Sequence, residues 1–97
     1  MPVDTQQVID YLSKLGNELE SRRFSVLLST AKGRPHFLTV INPAAPALSE
    51  NVMALPDAKG VLWFWFPWRT AITPASDIVA AADRVERVLA EVGRPAS

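Results

Sequence analysis

His36 is the only histidine in the chain, and histidine is the side chain best suited to move a proton near neutral pH. Nucleophilic catalysis would need it within hydrogen-bond reach of a hydroxyl, with a third group to orient it. No serine sits in a nucleophile-elbow motif. His36 instead stands beside Phe37, two residues from Arg34, near a turn. An ordinary strand residue is the plain reading, and a ligand contact is the sharper one. Metal chemistry has less to work with. There is no cysteine, so a transition-metal site would need several convergent carboxylates. Asp4, Asp10, Glu18 and Glu20 do not put three on one helical face, and Arg84 and Arg87 interleave with Asp83 and Glu86. Glu50 and Asp57 are isolated, and glycines 16, 33, 60 and 93 form no phosphate cradle. No catalytic residue, metal ligand or cofactor is assigned.

What remains is the aromatic run Val61-Leu62-Trp63-Phe64-Trp65-Phe66-Pro67-Trp68, which holds all three tryptophans. Read as a strand, it points Trp63 and Trp65 one way and Phe64, Phe66 and Trp68 the other. A half-exposed sheet should have one polar face, and here both are apolar. Something must cover the second face: more of this chain, a second copy, a partner or a ligand. Aromatic residues and arginine are enriched at the centre of protein interfaces. Trp63, Trp65, Trp68, Phe37 and His36 are therefore the candidate contact residues, with Arg34 and Arg69 at the margins. Alternation forbids all of them from sharing one face, and the run alone leaves open which set is outward.

The elements that position this strand follow from periodicity. Val8, Leu12, Leu15 and Leu19 recur at helical spacing over residues 4–22, with Asp4 or Thr5 as cap. Gly16 inside that helix marks close packing against the sheet. Residues 24–30 and 35–41 alternate as strands around the turn Ala31-Lys32-Gly33-Arg34. The first strand puts Phe24, Val26 and Leu28 on one side. The second puts Phe37, Thr39 and Ile41 opposite His36, Leu38 and Val40. Pro43 and Pro46 make residues 42–47 a surface crossover. Residues 48–50 make a turn of helix or an irregular corner. A short third strand, 52–55, leads through the loop chemistry of residues 56–60 into the aromatic strand. Thr73-Pro74 reads as a helix start, with Ser76 as the rival cap. That helix runs to about Val92 on a stripe of Ile78, Ala81, Val85, Val88, Leu89 and Val92, ended by Gly93 and Pro95. The tail 94–97 is expected to fray.

The expected architecture is α+β, in the order αββββα, with a four-stranded antiparallel sheet packed against two helices in a single domain spanning 1–97. Two helices can cover one face of such a sheet; packed together they leave the other open. Ten basic and ten acidic residues cancel, which weighs against a dedicated nucleic-acid binder and tolerates self-association. Residues 1–7 lack the features of a signal peptide, and no apolar run approaches the roughly 20 residues of a membrane helix. A cytoplasmic protein without membrane contact is expected.

Two resemblances add to this reading. The segment Val40-Ile41-Asn42-Pro43-Ala44-Ala45-Pro46-Ala47-Leu48-Ser49-Glu50-Asn51-Val52, followed by Gly60-Val61-Leu62-Trp63-Phe64-Trp65, resembles a group of short uncharacterised actinobacterial proteins. That likeness covers roughly residues 20 to 92 and carries no activity to any residue; Pro67 departs from the group's small polar residue. The outline also resembles secretion-chaperone-like domains, which implies dimerisation and the binding of unfolded segments. The sequence reading is thus a non-enzymatic protein-interaction module, a homodimer using an aromatic sheet face and chaperone- or adaptor-like in role. The alternatives are a tryptophan-lined small-molecule or catalytic pocket, with His36 or Arg69 as its polar group, and a single-stranded nucleic-acid binder with Lys32, Arg34, Lys59 and Arg69 as a basic rim.

Overall fold

A computed structural model describes residues 5–30, 36–44 and 49–93. The chain folds as helix α1 (Thr5–Ser21), strands β1 (Ser25–Ser29), β2 (Phe37–Ile41), β3 (Ser49–Pro56), β4 (Leu62–Phe66) and β5 (Thr70–Pro74), and helix α2 (Ile78–Gly93). The strands form one antiparallel meander in the order β1-β2-β3-β4-β5. The α+β class and antiparallel sheet match expectation, but the sheet has five strands rather than four.

The extra strand exists because β4 stops early. Proline has no N–H to give the ladder, so it seldom continues a paired strand. At Pro67 the chain instead turns, and the Arg69 N–H donates to the Phe66 carbonyl at 3.1 Å. Phe66 then pairs with Thr70, leaving a three-residue loop whose last member, Arg69, has φ 63°. This is a common hairpin recipe: a type I turn with proline second, followed by one residue in left-handed conformation. The usual glycine or asparagine at the left-handed position is missing, which hides the turn in the sequence.

The start of α2 moves for the same reason. Thr73 and Pro74 lie in β5, and the helix begins at Ile78. Asp77 caps it: its carboxylate accepts from the Ala80 N–H at 3.3 Å, while its carbonyl accepts from Ala81. Neither Thr73 nor Ser76 is the cap. Residues 49 and 50, expected in a turn of helix or an irregular corner, belong to β3. The turn 31–34 and the tail 94–97 lie outside the described residues.

Both helices pack on the same face of the sheet. The core joins Leu12, Leu15 and Leu19 of α1 and Ala81, Ala82, Val85 and Leu89 of α2 to one alternating set from the strands. That set is Leu38 and Val40, Val52 and Ala54, Leu62, Phe64 and Phe66, and Ile72, with Val26 and Leu28 of β1 packed alongside. Full burial of each Leu, Val or Phe contributes about 1.5–3 kcal/mol. Gly16 lets α1 sit close: a Cβ there would lie 3.3 Å from Leu38 Cδ1 and 3.4 Å from Val26 Cγ2. At the end of α1, Arg23 takes φ 71°, and the Phe24 N–H returns to the Leu19 carbonyl, closing the helix and starting the sheet.

Candidate functional site: the open sheet face

Since the even-numbered strand residues face the helices, the odd-numbered ones of β1 to β4 make the opposite face. No helix covers it. One row runs across all five strands in register: Ser29, Phe37, Met53, Trp65 and Ala71. A second row is Leu27, Thr39 and Asn51, in which the Thr39 hydroxyl donates to Asn51 Oδ1 at 2.9 Å. A third pairs Leu55 with Trp63. Leu27 is 62% exposed and Leu55 43%, while Phe37, Met53, Trp63 and Trp65 are half-buried. No strand residue on this face is charged. The face is therefore apolar and weakly polar, without the lysines and glutamates that usually line a solvent-facing sheet.

The tryptophans fall into two groups. Trp63 and Trp65 stand on the open face, and each indole N–H has a partner. Trp63 Nε1 donates to Asp57 Oδ2 at 3.1 Å, and Trp65 Nε1 donates to the Leu55 carbonyl at 3.4 Å. Trp68 belongs to neither strand face. It lies in the β4–β5 turn, half-exposed, with its ring stacked on Phe66 at a centroid distance of 4.5 Å and 12° between planes. The expected grouping of Trp68 with Phe64 and Phe66 as one strand set is corrected accordingly: the two phenylalanines are core, and Trp68 closes the core's edge. The turn at Pro67 causes the difference.

Asp57 anchors the β3–β4 hairpin beneath Trp63. Its Oδ1 accepts from the Lys59 N–H at 2.8 Å and the Val61 N–H at 3.0 Å, and Gly60 takes φ 82° to close the loop. The Val61 N–H contributes most to holding the carboxyl below its ordinary value of 3.8, with the Lys59 N–H and the Trp63 indole adding to it. The sequence marked this segment as a loop but gave no sign that its acid holds a tryptophan.

A shallow cleft opens where the face meets the β4–β5 turn. Met53, Leu55, Pro56, Trp65, Phe66, Pro67 and Arg69 line about 360 Å³. Of the expected site residues, Trp65 and Arg69 meet here. Trp63 and Phe37 lie on the same sheet face but outside the lining. His36 precedes β2, half-buried, with Nδ1 buried and without a hydrogen-bond partner, and it does not line the cleft. Arg34 lies outside the described residues. Met53, Leu55 and Leu27 were not singled out from sequence. Their alternation with buried neighbours was legible, but only the strand register shows that they adjoin the tryptophans.

Among the described residues no group of three or more His, Asp or Glu could hold a metal ion, and no helix is long and apolar enough to cross a membrane. No known family model, curated protein or solved structure matches this chain. Any functional reading therefore rests on the geometry of the face itself.

Proposed function

We propose that the protein is a non-enzymatic interaction module that self-associates as a homodimer through the open sheet face. The observation that carries this reading is the lack of charge on the strands of a broad apolar face that no described helix or strand covers. Large exposed apolar patches mark interaction surfaces. A second copy is the occupant that suits this one. Two neutral faces can meet about a two-fold axis without desolvating an unpaired charge, and each presents the aromatic and methionine side chains that favour interface centres. A chaperone- or adaptor-like role would place an apolar segment of another protein on the same surface. The strands offer no cation to a phosphate backbone, which counts against stacking of single-stranded nucleic acid.

Sedimentation velocity across a concentration series tests the proposal. Wild type should sediment as a dimer, and Trp65→Ala and Leu27→Lys should shift it to monomer with unchanged far-ultraviolet circular dichroism. Leu27→Lys is the cleaner variant, since that side chain projects into solvent. A wild type that stays monomeric at every concentration removes the homodimer reading. Retention of the dimer by both variants moves the contact away from this face.

A further inference from the structure

The β4–β5 cleft sets one cation against apolar walls. Arg69 is the only charged residue in its lining, and no carboxylate among the described residues pairs with it. The contrast with Arg22 is direct. Arg22 meets Glu18, Asp83 and Glu86 and ties α1 to α2, so its charge is answered three times. Arg69 has no such partner among the described residues, beside walls of tryptophan, phenylalanine, methionine, leucine and proline. Its backbone sharpens the point. Arg69 holds a left-handed conformation that glycine would adopt with less strain. An arginine at that turn position does nothing for the hairpin that glycine would not do better, so its guanidinium needs another explanation. Pro56 and Pro67 stiffen two walls, and the Leu55 carbonyl holds the Trp65 indole, so the cleft is largely pre-formed.

We infer that this cleft binds a small apolar carboxylate, an aromatic or short aliphatic acid. Its hydrocarbon part would lie against Trp65, Met53 and Leu55, and its carboxylate would meet the Arg69 guanidinium. The chemistry matches on both ends. About 360 Å³ is at the small end of ligand-site volumes, which suits a compact molecule over an extended one. The guanidinium fork accepts a planar carboxylate through two parallel hydrogen bonds, and an apolar surround strengthens that pair. A cationic ligand would be repelled, and a neutral one would leave the charge unused.

The inference does not rest on self-association, but a dimer closed over Trp65 would compete with the ligand, so the titration uses a concentration at which the protein sediments as a monomer. A monomeric protein with the carboxylate preference keeps the cleft and loses the dimer; a dimer with no preference does the reverse. The test is a ¹H–¹⁵N titration that follows the tryptophan indole peaks, using naphthalene-2-carboxylate and the matched neutral probe 2-naphthylmethanol. The carboxylate should move the Trp65 indole peak and bind about tenfold more tightly than the alcohol, the size of one charge-assisted contact at a partly exposed site. Arg69→Gly should erase that difference while the thermal midpoint holds or rises, because glycine relieves the left-handed position. That pairing separates a ligand role from a structural one. Absence of any Trp65 shift at millimolar carboxylate overturns the inference. So does equal binding of the two probes, or a preference that survives in Arg69→Gly.

Discussion

The two faces of this sheet are made by the same strands, yet they differ in kind. The buried residues of the helix-covered face are Leu, Val, Ile, Ala and Phe, and no polar or charged side chain is buried among the described residues. The open face is Trp, Phe, Met, Ile, Thr, Asn and Ser with exposed leucines. β4 shows the contrast within five residues: its phenylalanines go in and its tryptophans stay out. The indole N–H explains the choice. A tryptophan beneath the helices would carry its donor into a layer with no side-chain acceptor, at a cost of about 1–3 kcal/mol. On the open face the donor reaches Asp57 or the Leu55 carbonyl. In β4, the polar tip of each tryptophan decides which side that large residue can occupy.

This comparison fails or sharpens on measurement. The largest effect should come from the buried side of β4. Phe64→Ala should lose about 3–5 kcal/mol in denaturant unfolding, because Phe64 is fully enclosed. Trp65→Ala, next to it in sequence, should cost the monomer only about 1 kcal/mol. Equal losses at the two positions would mean that the open face is as much a core as the covered one.

Gly16→Leu probes the covered face from the helix side. A Cβ there would lie 3.3 Å from Leu38 Cδ1, so the buried Leu38 side chain has to shift to admit it. Destabilisation of about 1–3 kcal/mol is expected from overpacking. A neutral result would show that α1 can lift from the sheet without loss, and the difference between the faces would then be less sharp than drawn.

The smallest effect is at the edge of the open face. The folded Asp57 carboxyl lies below its unfolded value, so its contribution is complete above about pH 4 and is lost as the pH falls through the folded value. The Trp63 indole peak should follow that titration with a midpoint below 3.8, and Asp57→Asn should flatten it. The Trp65 peak should stay still, because its acceptor is a carbonyl that does not titrate. A Trp63 midpoint at or above the ordinary carboxylate value would remove the proposed anchoring.

Much of the architecture was legible before any coordinates. Leu12, Leu15 and Leu19 in the first helix, the alternation of Phe37 to Ile41, and the stripe of Ile78, Ala81, Val85 and Leu89 in the second helix each follow from local periodicity, and Gly16 was rightly read as a point of close approach. The fifth strand was hidden because its turn carries Arg69 where glycine would have announced it. The helix start was misplaced because Thr73-Pro74 resembles a cap, whereas Asp77 makes the bond. The site was legible only in part. Trp65 and Arg69 were named, but their joining Met53 and Leu55 around one cleft depends on the strand register and on the turn at Pro67.

Alternation and helical spacing are local, so the amino-acid order alone determined that two amphipathic helices and a set of antiparallel strands would form, and that one strand would be greasy on both sides. Which side the helices would cover, and which charges would be left without partners, are sums over contacts between residues far apart in the chain. Those were decided only when α1 and α2 settled together over Phe64 and Phe66, leaving Trp63 and Trp65 facing out.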